Sequence, residues 1–463
     1  MADTTPRHLT LFTTAEFQFD DRFATRSVTA GKSSGSGASV QEYLAFAREL
    51  EQDGFDAVLV ADFLGINRKT LGGNGDGPFG IRRFEPLTRL AALAVATERI
   101  GLIGTFSTQF TEPYNLARQL ASLDHLSGGR AAWNIVTSFT SEKNFGLTQL
   151  PSPSERYERA QEYLDVVAAL WNSWAPDYEV ERPDGTFGVD ADRIVDIDHD
   201  GQYFSVQQAI DIPPTPQRIP VLVQAGSSAA GTELAGKNAE VVYVATPDLE
   251  SAIEYSNQLA GYAAAAGRDR SHIRVSPGVR LYLGETHDEA QAAYLSVLTD
   301  QDLIAAKQGI KGEIPTLNLD DLDLDAVLPI DRFPSEDELR AGGRRTSRAL
   351  IYRSWAASGE YPTVRAFLTR FGTSFGHAQF IGTPEEVADT ITEWFRSGAI
   401  DSFTVHSANS YELLTTRVFP ILRERGVLPP RPGTGTPTQT FRERIGTTLS
   451  PRHIRDYAAA VAH

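Results

Sequence analysis

The chain has 463 residues, 41% hydrophobic and 22% charged, a balance that can bury a large core and that excludes disorder throughout. Its 43 basic and 60 acidic side chains leave a net charge of −17, which repels phosphate backbones and anionic membrane surfaces but leaves room for a local basic pocket holding one small anion. The absence of cysteine removes disulfides, thiolate metal sites, thiol nucleophiles and iron–sulfur clusters.

The opening MADTTPRHLTLFTT lacks a charged start followed by an apolar core, and the longest helical apolar run, Leu90 to Ala96, is too short to span a bilayer. A soluble cytoplasmic protein is expected. Short runs rich in Val and Ile then recur at 8–12, 56–61, 99–106, 131–136, 221–225, 240–245, 273–283 and 402–406. Between them lie helical patterns such as VQEYLAFARELEQ, EPLTRLAALAVATE, YNLARQLASLDHL, SERYERAQEYLDVVAALW and PEEVADTITEWFRSG. Strands with little polar alternation, joined by helices, indicate a parallel sheet covered on its outer face. Eight of them point to an α/β fold closed as a TIM-type (β/α)8 barrel, a fold that reaches this length with insertions.

Four segments depart from the alternation and read as insertions: 21–38, 65–84, 174–219 and, largest, 300–376 after the seventh strand. The first two are rich in glycine and suit loops at the barrel mouth. Segment 174–219 has room for a small hairpin, and 300–376 suits a lid, a substrate pocket or a subunit contact. The barrel domain is thus drawn over 1–428, and 429–463 reads as a linker and an arm whose residues 441–463 are expected against a neighbouring subunit.

In a parallel barrel the chemistry sits at the C-terminal ends of the strands. The polar residues there are Asp62, Thr105, Ser107, Thr108, Asn134, Thr137, Ser138, Gln224, Ser227 and Ser228. Singly, each is more often a helix cap or turn residue than a ligand contact. Together they line a rim with neutral donors and acceptors, which suits a large heteroaromatic ligand better than a metal or a hydrolytic water. In AGSSAAGTELA, Gly226 permits a sharp turn, and Ser227 and Ser228 then present hydroxyls and N–H groups at a helix start, a place for a phosphate or simply a capped helix. Tyr157, with Arg156 beside it, is within reach of the same point; a packing tyrosine and a surface arginine are the plain alternative. His377 and His406 are the candidate acid or base, each more commonly a structural histidine. No HExxH, GxSxG or GxxxxGK[ST] occurs, nor any cluster with metal-ligand spacing.

The stretch IGTFSTQFTEPYNLARQLASLDHLSGGRAAWNIVTSFTSEKNFG resembles the signature of the nitrilotriacetate monooxygenase family, within the bacterial-luciferase-like flavin monooxygenases. The resemblance continues in ERYERAQEYLDVVAALWNSW, DHDGQYFSV, PTPQRIPVLVQAGSSAAGTELAGKNAE, FIGTPEEVADTITEWFRSGAIDSFTV and VFPILRERGVL. It implies an enzyme that takes reduced FMN from a separate flavin reductase, activates O2 as a flavin hydroperoxide, inserts one oxygen atom into a small organic substrate, and works as a homodimer or homotetramer. The family's flavin contacts would fall on Asp62, on Thr105 or Thr108, on Tyr157 and on Ser228, with Gly226 and Ser227 in the same turn and Asn134, Thr137 and Ser138 lining the cleft. Trp133 reads as core. One departure stands out: the family's histidine four residues before the RY tyrosine is replaced by Pro153. A deazaflavin-dependent oxidoreductase of the same superfamily and a non-catalytic flavin-binding protein are the alternatives. Phe12, Phe63, Phe110 and Phe139 would suit an apolar substrate, or the core.

Overall fold

The computed structural model describes residues 7–14, 40–62, 64–65, 85–138, 141–341, 346–431 and 439–454. The expected insertion at 21–38, nearly all of that at 65–84, Phe63 and Phe139 lie outside the described residues.

Each of the eight apolar runs forms a parallel strand: β1 (Thr10–Thr14), β2 (Ala57–Val60), β3 (Gly101–Ser107), β4 (Ala131–Val136), β5 (Val221–Ala225), β6 (Val241–Val244), β7 (Arg274–Leu283) and β9 (Ser402–Ala408). Neighbours pair in that order and β9 returns to β1, so the eight close into a barrel. An unexpected strand, β8 (Ala378–Gly382), pairs with the upper half of β7 from Val279↔Ala378 to Leu283↔Gly382. It escapes sequence reading because AQFIG is short and follows directly on the aromatic and glycine-rich end of the insertion.

The strand period of two sorts the residues. Phe12, Ala57, Leu59, Ile103, Ala132, Val221, Val223 and Val241 fill the barrel, while Leu102, Phe106, Trp133 and Ile135 face the surrounding helices. Trp133 is fully buried, 5.6 Å from the ring of Tyr163, and its indole N–H donates to the Phe106 carbonyl at 3.1 Å. Its role is packing. Among the covering helices are α1 (Val40–Asp53), α2 (Pro86–Ala96), α3 (Pro113–Ser127), α4 (Pro153–Trp171), α5 (Ala229–Asn238), α6 (Leu249–Ala265) and α7 (His287–Leu295). Gly128 and Gly129, with φ of 66° and 87°, make the left-handed turn that takes α3 into β4.

Segment 174–219 carries two short antiparallel pairs, Glu179–Glu181 with Phe187–Val189 and His199–Asp200 with Ser205–Val206. The 300–376 insertion includes α8 (Asp300–Glu313), α9 (Thr346–Ser358) and α10 (Val364–Ser374), packed around a separate core that includes Leu303, Ile310, Tyr352, Trp355, Phe367 and Phe371. Chain continues through β8 and α11 (Pro384–Arg396) to β9.

The arm departs from expectation. Its helix α12 (Phe441–Ile445) turns back on its own chain and pushes Phe441 and Ile445 into the N-terminal end of the barrel, joining the interior cluster. Gly101 makes room for it, since a Cβ there would stand 2.6 Å from the Phe441 ring. Arg442 meets the fully buried Glu240 at 2.6 Å, and Arg444 lies 3.6 Å from Asp56. Residues 441–445 thus form a buried apolar plug in their own barrel, clamped by ion pairs. Among the described residues no helix is long and apolar enough to cross a membrane.

Candidate active site

At the opposite, C-terminal end the barrel interior becomes polar. Thr105 and Asn134 are registered neighbours on β3 and β4, both turned inward by the same alternation that buries Ile103 and Ala132. The Asn134 amide donates to the Thr105 hydroxyl at 2.9 Å, and its carbonyl oxygen is buried with no hydrogen-bond partner among the described residues. Thr108 behaves differently: its N–H and hydroxyl both donate to the Val136 carbonyl, at 3.0 and 3.4 Å, and only 1% of it is exposed. Thr105 therefore faces the mouth, whereas Thr108 ties a loop to β4. Thr137 and Ser138 are half-buried just beyond β4. Ser138 holds a left-handed φ of 49°, its hydroxyl lies 2.6 Å from that of Ser107, and its carbonyl accepts from Arg156. Asp62 is half-buried past the end of β2.

A second cluster sits past β5. Gly226, at φ 136°, donates its N–H to the Tyr243 carbonyl and turns the chain into α5. Ser227 lies in the turn, and Ser228 is the N-cap, accepting from the Gly231 N–H at 3.1 Å. The Tyr157 hydroxyl, from the first turns of α4, is 3.2 Å from the Ser228 hydroxyl. Gln224 underlies the turn with its side-chain oxygen buried and unsatisfied. Pro153 is the exposed first residue of α4, after a Ser152–Glu155 capping box, where proline's missing N–H costs nothing. It offers no donor to a ligand.

The third cluster joins barrel and insertion. His406, inward on β9, and His377, just after α10, have ring centres 4.5 Å apart, and Tyr243, inward on β6, bridges them through its hydroxyl, 3.0 Å from His377 Nε2. Gly278 on β7 makes this possible, since a Cβ there would lie 2.4 Å from His377 Nδ1 and 2.7 Å from His406 Nε2. Burial and the nearby Arg280 and Arg348 guanidiniums hold both imidazoles well below the usual histidine range, so both are neutral. Arg348, from α9, approaches His377 Nε2 at 3.5 Å as a donor, which makes that nitrogen the acceptor. With His377 Nε2 as acceptor, the Tyr243 hydroxyl can donate to it, and the neutral His377 then carries its proton on Nδ1, a buried atom without a hydrogen-bond partner among the described residues.

The structure thus sets His377 and His406 side by side and gathers Tyr157 with Gly226, Ser227 and Ser228, while Thr105 and Asn134 form a third side of the mouth. Sequence reasoning missed Tyr243, Arg280 and Arg348. Tyr243 was legible as the inward partner of Val241 two residues away; the two arginines carry no local signal, since they come from a strand and from a helix inside the insertion. Phe12 packs in the barrel, and Phe110 stacks on Phe145 at 4.3 Å.

Comparison with known proteins agrees with this architecture. The family model described as luciferase-like monooxygenase matches residues 22–401. The N-acetyl-S-(2-succino)cysteine monooxygenase of Bacillus subtilis (strain 168) is 36% identical over 399 residues, covering 85% of this chain and 88% of the relative. Component A of nitrilotriacetate monooxygenase from Aminobacter aminovorans is 36% identical over 374 residues, 79% of each. Among solved structures, EDTA monooxygenase (EmoA) from Chelativorans sp. BNC1 superposes with a TM-score of 0.70 at 28% identity, over 96% of this chain and 99% of that one.

Proposed function

The chain belongs to the luciferase-like monooxygenase family and is a flavin-dependent monooxygenase, and on that premise we propose that it is an oxygenating component that takes reduced FMN from a separate flavin reductase and inserts one atom of O2 into a small organic substrate. Two observations carry the cofactor reading. A capped helix N-terminus with three converging hydroxyl and turn residues lies past β5, and an inward amide with an unsatisfied buried oxygen stands on β4 of the same mouth. The first suits a phosphate and the second the polar edge of a flavin ring.

In this reading the N–H groups at the start of α5, the Ser227 and Ser228 hydroxyls and the Tyr157 phenol hold the phosphate, where the positive end of the helix dipole favours a dianion. Asn134, held by its hydrogen bond to Thr105, would offer its unpaired oxygen to a ring N–H. Asp62, Thr137 and Ser138 border the same cleft; Thr108 supports it from behind. Reduced FMN, when bound, supplies the two electrons with which O2 delivers one oxygen atom to substrate and the other to water. The protein's own part is to orient the ring, exclude water and manage protons. His406 Nε2, Tyr243 O–H and His377 Nε2 form a short relay in which Tyr243 can pass a proton from one imidazole to the other without either being charged at rest. The 300–376 insertion, which brings Arg348 against His377, serves as the cover of the site.

The test is an anaerobic titration with FMN and with reduced FMN, followed by admission of air in an oxygen electrode. Tighter binding of the reduced form and re-oxidation slower than that of free reduced flavin support the reading. Equal binding, or re-oxidation at the free rate, overturns it in favour of hydride chemistry on a deazaflavin or of simple flavin storage.

A further inference from the structure

The interior arginines of this protein divide into two kinds. Arg442 is paired with Glu240 at 2.6 Å, and Arg270 and Arg274 share Asp401 at 2.8 and 3.5 Å. Arg130 has no such ion pair but is saturated by Ser127, Ala94, Thr97 and Ile100 acceptors. Arg280, Arg348 and Arg370 are different: Arg370 is buried, and Arg280 and Arg348 are half-buried. None forms an ion pair with a carboxylate among the described residues, although Asp248 lies near enough to Arg370 to act on its charge; Arg280 makes no hydrogen bond there, and the Nε atoms of Arg280 and Arg370 are buried without acceptors. Arg280 lies 5.6 Å over the Phe375 ring, Arg348 touches only the long contact to His377, and Arg370 reaches Gln379 and stacks 4.5 Å over Trp355. In a chain of net charge −17, three guanidiniums around one histidine are a concentration of positive charge, and among the described residues Arg280 and Arg348 have no carboxylate in ion-pair contact.

A cation withdrawn from water without an acceptor is unfavourable unless something else completes it. The planar fork of arginine matches a carboxylate in two parallel hydrogen bonds, which is why it is the common choice for such groups. Arg280 shares a face of β7 with Gly278, which abuts both imidazoles, and acts on the charge of His377 and His406, while Arg348 reaches the same cluster from α9 of the insertion. We propose that this seam between barrel and insertion binds a carboxylate of the substrate through Arg280 and Arg348, with Arg370 adding positive field behind them, so that the enzyme oxygenates small organic acids. The inference rests on the monooxygenase reading above for what happens to the acid, but the anion site stands on its own residues. The flavin phosphate is assigned to the start of α5, on other side chains.

The test uses four probes, succinate and benzoate with their neutral isosteres succinamide and benzamide, titrated calorimetrically into the full-length protein at low salt. At least one acid is expected to bind, its amide to bind at least tenfold more weakly, and Arg280→Met and Arg348→Gln each to weaken the acid about tenfold, the size of one charge-assisted contact. Arg280→Lys, which keeps the charge, is expected to recover part of the loss, and Arg348→Gln stands on a half-exposed position should Arg280→Met not fold. Failure of both acids to bind, equal binding of acid and amide, or unchanged affinity in Arg348→Gln overturns the proposal. Reduced FMN and reduced riboflavin are titrated into the same variants. Weakened FMN with unchanged riboflavin would make the cluster a phosphate site and also overturn it. Should the acids behave as expected while wild-type protein ignores reduced FMN, the anion site is upheld and the cofactor reading fails.

Discussion

Replacing Phe441 by alanine tests whether the barrel depends on its C-terminal plug. The ring is fully buried, lies 6.1 Å from Phe12 in an edge-on arrangement, and fills the space left by the missing side chain of Gly101. Truncation of a buried Phe costs about 3–5 kcal/mol, more where the surroundings cannot close over the cavity. Here the walls are strands hydrogen-bonded on both sides, so the upper part of the range is expected, roughly 4 kcal/mol, or close to a thousandfold in the unfolding equilibrium. Equilibrium urea unfolding followed by tryptophan fluorescence should show a lowered midpoint at unchanged slope. Gly101→Ala should cost about 1–3 kcal/mol by overpacking against the same ring. The double variant should then be less damaged than the sum, because the added methyl sits in the vacated space. A loss below about 1 kcal/mol for Phe441→Ala, or strict additivity of the pair, would refute the plug.

Gly278→Ala places a methyl against both imidazoles and should cut turnover by at least tenfold while leaving reduced FMN affinity within a factor of two; equal loss of both in a binding titration would show general disruption instead. Ser228→Ala combined with Tyr157→Phe should weaken reduced FMN about tenfold or more and reduced riboflavin hardly at all, as read by anaerobic fluorescence quenching. Burial depresses His377, His406 and His453, the last to about 4, so below pH 6.5 the unfolded chain binds protons that the folded chain refuses. Stability is therefore complete above that pH and falls as the pH drops toward the folded values, by roughly 2 kcal/mol at pH 5 for His453 alone. Urea midpoints measured from pH 8 to 5 should show the decline, and His453→Gln should flatten it.

The barrel was legible because its strands are buried on both faces and therefore read as unbroken apolar runs, one per unit, from Leu11 to Val405. The strand Ala378–Gly382 was not, since AQFIG offers too few residues to separate strand from turn. The helix at Phe441–Ile445 was hidden for another reason: five residues after a proline- and glycine-rich linker resemble any surface arm, and only the matching gap at Gly101, 340 positions earlier, shows where Phe441 goes. At the mouth, the rule that polar groups gather at strand ends was enough to place Asn134, Ser228 and His406 there. It could not sort Thr105 from Thr108, because the difference is which way each side chain turns where β3 runs out into a loop.

The charge distribution shows the same limit from the other side. A net charge of −17 argues against large polyanions, and that argument holds for the surface as a whole, where Arg118, Arg332, Arg365 and Arg452 each face a carboxylate. It says nothing about Arg280, Arg348 and Arg370, which come from a strand, a helix and another helix and meet only because β7 and the insertion fold against each other. On the proposed reading, part of the solvation of Arg280 and Arg348 is deferred to a ligand. The unsatisfied oxygen of Asn134 has the same character on the other side of the mouth. Two polar defects of opposite sense, an acceptor lacking a donor and cations lacking an anion, are what a site needs when it must hold a flavin ring and an acid side by side and keep water from both.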